Sequence, residues 1–156
     1  MRKDRKSSQQ AQANPRLQDT VRLSADGLAK VLGDLESRVL RTVWALRRPS
    51  SARTVHERIE KQHPISSLTT ITVLNKLVTK GILAREKSED VFHYRARLNE
   101  DEFMAHASRR VVEGILSFGP DAVAASFVDV LAETNPEKLA ELGRLIRRKL
   151  RESDSK

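Results

Sequence analysis

Cysteine is absent from this chain of 156 residues. That excludes disulfides and thiolate-bound metal, and it agrees with a reducing, cytoplasmic setting. Aromatic side chains make up only 4% of the residues, so a core must be small and mainly aliphatic. Apolar runs are short as well. None approaches the roughly 20 residues that a membrane-spanning helix needs, and the basic N-terminus lacks the apolar stretch of a secretory leader. No membrane insertion is expected. Fingerprints of catalysis are missing: there is no HExxH, no GxSxG, no Walker loop and no dinucleotide-binding glycine run. The four histidines, His56, His63, His93 and His106, are scattered. His56 and His63 are seven residues apart, about 10 Å along a helix, too far to share a ligand. An enzyme is not expected, and neither a cofactor nor a metal is called for.

Positive charge, by contrast, is plentiful. Lysine and arginine number 29 against 21 acidic residues, a formal net charge of +8. The excess is uneven: residues 1–30 carry seven basic and three acidic groups, residues 31–98 thirteen and seven, and residues 99–156 nine and eleven. The positive field therefore sits on the first two thirds and favours a polyanionic partner there.

Residues 1–30 read as a basic N-terminal tail. Residues 1–22 are polar, with a disordered composition, and Ser24 to Lys30 reads as a short turn leading into the fold. A first helix is expected from Leu32 or Asp34 to Leu46, with Leu35, Val39 and Val43 spaced by four. Pro49 closes it. Ser50 or Ser51 caps a second helix, Ala52 to Gln62, with Val55 and Ile59 on its buried stripe. A third runs through Ser66–Gly81. Its apolar stripe passes either through Thr70, Val73, Leu74 and Leu77, exposing Ile71, or through Ile71, Leu74 and Val78, exposing Val73. After Gly81 the period changes to that of a β-hairpin around Ser88-Glu89-Asp90, with Phe92 and Tyr94 on one face and His93 and Arg95 on the other. Three short helices and a hairpin, with only a few residues between the second and third helices, have the order of a winged helix-turn-helix over residues 31–98.

Residues 99–156 read as an all-α region. Asn99 caps a helix bearing Phe103, Val111 and Ile115. Gly119-Pro120 breaks it, and a second helix follows with Val123, Phe127, Val130 and Leu131. Asn135-Pro136 starts a third with Leu139, Leu142 and Ile146. Under 60 residues make a marginal unit, and the middle helix is too apolar to face water. A second copy of the chain is the expected cover, through Phe103, Val111, Ile115, Val123, Phe127, Val130, Leu131, Leu139, Leu142 and Ile146. Folding back onto the N-terminal module is the alternative.

Leu32 to Trp44 (LGDLESRVLRTVW), the block TxxTVLNKLVTKG from Thr69 to Gly81, and the following ILAREKSEDVFHYRARL together resemble the penicillinase repressor family, of the BlaI/MecI/CopY type. The resemblance covers Leu32 to about Arg151 and favours the Thr70, Val73, Leu74, Leu77 stripe. It implies a homodimeric bacterial repressor that binds a palindromic operator through the third helix and wing. In the β-lactam-responsive systems it further implies release by cleavage, set off by a membrane-bound sensor metalloprotease. Two departures stand out. The Cys-x-Cys pairs of copper-responsive members are absent. Aligned on Ser126-Phe127-Val128-Asp129, the cleavage position falls at Arg110-Val111, where staphylococcal-type members carry Asn-Phe.

On its own the third helix reads more readily as an amphipathic surface helix than as a groove reader; its neighbours reverse that preference. Base readout is expected from Thr69, Thr72, Asn75 and Lys76, since Thr can touch a thymine methyl, Asn can pair with adenine and Lys can donate to guanine. Ser66 and Ser67 at the helix start can hold a phosphate. Arg53, Lys80, Arg85, Lys87 and His93 complete the set of expected DNA contacts. Two alternatives remain, a ligand-responsive winged-helix regulator and a protein-interaction module without DNA specificity. Against the latter stand the polar threonines and lysines of the third helix, in place of exposed large apolar residues.

Overall fold

The computed structural model describes residues 27–156. The expected tail, as far as residue 26, lies outside the described residues. The described residues are mainly helical, with one small antiparallel sheet, and divide into two compact units, the first ending at Ser108 and the second running over Arg109–Lys156.

The described part of the first unit opens with a 3-10 turn at Gly27–Lys30, where Leu28 is buried, as are Val31 and Leu32 just after it. Residues 27–30, expected in the tail, therefore belong to the folded module; three aliphatic side chains within five positions are enough to anchor them. Helix α1 (Asp34–Leu46) starts after Gly33, whose N–H donates to Glu36 Oε2 at 2.8 Å. It ends where Arg47 turns left-handed, φ 54, just ahead of Pro49. Strand β1 (Ser50–Ser51) pairs with β3 through Ser50 opposite Tyr94 and Ser51 opposite His93. Ser51 then caps α2 (Ala52–Glu60), its Oγ accepting from the Thr54 N–H at 3.2 Å. The same serine thus ends a strand and starts a helix.

Helix α3 (Ser67–Thr79) is capped by Ser66, whose Oγ accepts from the Thr69 N–H at 3.1 Å. Its buried residues are Thr70, Val73, Leu74 and Leu77, which decides between the two stripes: Ile71 faces out. Gly81, at φ 73, supplies the left-handed turn that lets the Ile82 N–H reach Leu77 O at 3.0 Å. Strands β2 (Leu83–Ser88) and β3 (Val91–Ala96) form the wing, and the sheet order is β1-β3-β2. Glu89 and Asp90 form the two-residue loop with φ of 49 and 63. Left-handed conformation at both loop residues matches the twist of a two-residue hairpin, though side chains other than Gly, Asn or Asp adopt it at some strain.

Helix α4 (Glu100–Leu116) opens with a reciprocal capping box: Asn99 Oδ1 accepts from the Glu102 N–H and Glu102 Oε2 from the Asn99 N–H, both at 2.9 Å. Phe103 and Ala107 are buried in the first unit, Phe103 edge-on to Trp44 with ring centroids 5.6 Å apart. The Trp44 indole N–H donates to Leu98 O at 3.0 Å. Phe103, expected at a dimer surface, is therefore core. The compact units divide inside α4, after Ser108 rather than after Leu98, because the first two turns of that helix bury their apolar side in the first unit.

The second unit comprises the remainder of α4, α5 (Pro120–Thr134) and α6 (Pro136–Asp154), with α5 and α6 in contact. Asn135 caps α6 by accepting from the Lys138 N–H at 3.1 Å, with Pro136 as first helical residue. Among the described residues, none in α5 or α6 is buried. No single helix among them is long and apolar enough to cross a membrane.

Candidate nucleic-acid interface

Helix α3 turns Leu68, Thr72, Asn75 and Thr79 away from the core, flanked by Ile71 and Lys76, because these positions lie opposite the buried Thr70, Val73, Leu74 and Leu77 at 3.6 residues per turn. Leu68 is 72% exposed and Ile71 39%. Sequence reasoning overlooked Leu68, although it stands four residues before Thr72 and seven before Asn75, on the same arc. An exposed Ile71 was expected from the favoured stripe, but the helix was otherwise taken to show polar threonines and lysines in place of large apolar residues, and Leu68 overturns that.

Several expected readers are engaged inside the protein. Thr72 Oγ1 donates to Leu68 O at 2.9 Å, and Thr69 Oγ1 lies 2.8 Å from Ser66 Oγ. Asn75 Oδ1 accepts from both Arg85 Nη1, at 2.9 Å, and the Tyr94 hydroxyl, at 3.0 Å. Arg85 and Tyr94 are direct cross-strand partners, so their side chains share the sheet face that meets α3. The Arg85 guanidinium also lies over the Phe92 ring, 4.2 Å from its centre. Asn75 is thus a bracket between helix and wing, where a free amide was expected.

Lys80, expected to reach DNA, is turned inward. Its ammonium donates to Glu36 Oε1 at 2.7 Å and its side chain is only 19% exposed; Lys76, far more exposed, comes within 3.5 Å of the same oxygen. Burial alone would raise the Glu36 carboxyl. Hydrogen bonds from Lys80 and the Gly33 N–H, with the charges of Lys80 and Lys76, outweigh it and hold the group below its ordinary value.

The other expected contacts are placed as follows. Ser66 and Ser67 are exposed at the start of α3. Arg53 lies on the surface, paired with Glu57 at 2.9 Å, and Lys87 reaches Asp90 at 3.3 Å in the wing loop. His93 is half-buried, with Nδ1 3.2 Å from Val91 O. The structure thus gathers Asn75 and Arg85 into one cluster and leaves Arg53, Lys87 and His93 apart from it. Glu36, Tyr94, Phe92 and Leu68 are the participants that sequence reasoning missed. No local pattern marks the first two, since their partners are 44 and 19 residues distant.

In the second unit, Phe127 is 55% exposed, Val130 and Ile146 are similarly open, and Val111, Ile115, Val123, Leu131, Leu139 and Leu142 are half-buried. Phe118, at 90%, is almost bare.

The sequence profile of the penicillinase repressor family matches residues 32–148. The chain belongs to the penicillinase repressor family. Membership makes it a winged-helix transcriptional repressor. Among its relatives, the methicillin resistance regulatory protein MecI of Mammaliicoccus sciuri is 22% identical over 118 residues, spanning 76% of this chain and 94% of that protein. MecI of Staphylococcus aureus strain N315 is similar to the same extent. The transcriptional regulator BlaI of Mycobacterium tuberculosis H37Rv is 30% identical over 74 residues, 47% of this chain and 54% of that one.

Proposed function

We propose that this repressor acts in the bacterial cytoplasm as a homodimer on a palindromic operator, with one α3 entering the major groove of each half-site and the β2–β3 wing beside it. The observation that carries the reading is the outward arc of α3, capped by Ser66 and locked to a wing through Asn75, Arg85 and Tyr94. That arrangement presents one helix face next to a hairpin that carries Arg85, Lys87 and Arg95 as well as Glu86, Glu89 and Asp90, within the segment that holds the positive charge. Ser66, Ser67 and the free N–H groups at the start of α3 suit a phosphate, as do Arg53 and Arg85. Pairing through the apolar side chains of the second unit would put two reading heads on one two-fold axis, matching a palindrome.

Footprinting of the purified protein across its own promoter, with affinity followed against salt, tests this. The expected result is a protected palindrome with half-sites about one helical turn apart and a linear fall of log affinity with log salt. No protected palindrome refutes the reading; binding without sequence preference reduces the protein to a basic coat.

Induction by proteolysis, with a membrane sensor metalloprotease as partner, belongs to the same proposal. Its bond, Arg110–Val111, lies within α4, so a protease must first unwind a turn of that helix. Mass analysis of the repressor from derepressed cells tests the site, and an intact chain overturns it.

The exposed Leu68 and Ile71 also favour a second reading, a protein-docking face on α3. Footprinting separates the two.

A further inference from the structure

We propose that Leu68 and Ile71, with the methyl group of Thr72, read thymine 5-methyl groups, so that the operator half-site is chosen at this end of α3 by apolar contact more than by hydrogen bonding. The inference rests on the DNA-binding reading above and names the base that the site selects.

It starts from which polar groups of the outward arc are already engaged. An asparagine that recognises adenine must accept from N6 and donate to N7 at once. The carboxamide oxygen of Asn75 already receives two hydrogen bonds, from Arg85 and Tyr94, which is its full complement of lone pairs. The Thr72 hydroxyl hydrogen points back to Leu68 O, that of Thr79 to Asn75 O at 3.1 Å, and the Thr69 hydroxyl is held at Ser66. For Thr72 or Thr79 to donate to a base edge, or for the Asn75 oxygen to accept from one, an internal bond must first break. Beyond the Ser67 hydroxyl and the accepting lone pairs of its threonines, what the N-terminal half of the helix offers without rearrangement is apolar: the Leu68 side chain, the Ile71 side chain and the Thr72 methyl, all on exposed residues.

Among the groups on base edges in the major groove, the apolar one is the C5-methyl of thymine. Leu68 is the second residue of α3, and it is the N-terminal residues of a recognition helix that reach the base edges. The charge around the ridge suits the same occupant. Lys76 follows on the same helix, and Arg85 is held at Asn75, three residues beyond Thr72, cations available to a phosphate backbone.

The test uses the full-length protein and the promoter duplex that it protects, with each half-site thymine replaced in turn by deoxyuridine, which removes only the methyl. Affinity is expected to fall about fourfold for each methyl contacted, and about fifteenfold when the symmetry-related thymine is also replaced. In Leu68→Ala or Ile71→Ala the wild-type duplex binds more weakly and the thymine-to-uracil difference shrinks toward none. The salt dependence stays unchanged, since no phosphate contact is lost. Leu68 lies on the surface and the Ser66 cap remains, so circular dichroism of the variant should match the wild type. Uracil tolerated at every position of a protected half-site overturns the proposal, and so does a uracil effect of full size in both alanine variants. Both outcomes leave the repressor reading standing. A promoter with no protected site defeats that reading and this inference together. Loss of a protein partner on Leu68→Ala, with operator affinity intact, assigns the ridge to docking instead.

Discussion

The two units of this chain solve the burial of apolar surface differently. Among the described residues, every buried apolar side chain lies between Leu28 and Ala107. In that first unit α1, α2, α3, the sheet and the start of α4 close on one another. The second unit has helices just as well formed and capped, yet Phe118, Phe127, Val130 and Ile146 remain open to solvent. Good local helix signals do not by themselves enclose a core; that requires enough elements at enough angles to surround it. The first unit has them. The second, with two and a half helices, leaves apolar side chains exposed, and the second copy proposed above would cover them.

The comparison breaks first at a core position. Leu74→Ala, at a fully buried site of α3, is expected to cost about 2–5 kcal/mol in denaturant unfolding. Phe127→Ala in the second unit should leave the first unit's unfolding midpoint unmoved and raise the dimer dissociation constant at least about tenfold, as loss of a buried aromatic anchor does. Sedimentation across a concentration series reads this. Equal effects of the two substitutions on unfolding would show that the second unit has a core of its own.

The next largest effect is expected at Glu36. Glu36→Gln removes the buried charge that partners half-buried Lys80 and should cost about 1–3 kcal/mol at neutral pH. The folded-state pKa of Glu36 is lowered from 4.5, so its contribution is present above that value and is lost as pH falls through the lowered one. The gap between wild type and Glu36→Gln should therefore close below pH 4.5, as measured by urea unfolding at several pH values. A gap that is constant down the acid limb would mean the carboxylate is not what stabilises the helix ends.

Smaller still is the effect at the bracket. Asn75→Ala should weaken operator binding by about 1 kcal/mol, and Arg85→Ala by a similar amount, with the double variant well short of their sum, because Arg85 is held by Asn75. Additive losses would return Asn75 to independent base reading. The smallest change is expected at Arg53, an exposed partner of Glu57. Arg53→Ala should alter stability by no more than about 0.5 kcal/mol, and lower the salt slope by about one if it meets a phosphate.

Much of the architecture was legible before the structure. The turn at Glu89-Asp90 and the caps at Asn99 and Asn135 depend on residues within a turn or two of one another, where spacing and side-chain chemistry suffice; for the third helix spacing left two stripes open, and the family resemblance favoured the one that is buried. The site was less legible. Lys80 and Asn75 were read as free because nothing nearby in sequence engages them; their partners, Glu36, Arg85 and Tyr94, arrive from other elements. Phe103 was assigned to the wrong surface for the same reason: an apolar residue on a helix shows that it will be buried, not against what. Strand β1 escaped notice because two serines have no strand signature and pair only when β3 lies beside them.

For this protein, then, the sequence by itself determined the main helices and the wing hairpin, their order and the family to which it belongs, since helix caps, hydrophobic period and turn residues act over a few positions. Tertiary structure decided which polar side chains of α3 remain available to a partner. A buried or half-buried donor or acceptor must be satisfied wherever a partner can be found, and here the partners of Lys80 and Asn75 stand 44, 10 and 19 residues away. Satisfying them leaves Leu68 and Ile71 at the front of the helix.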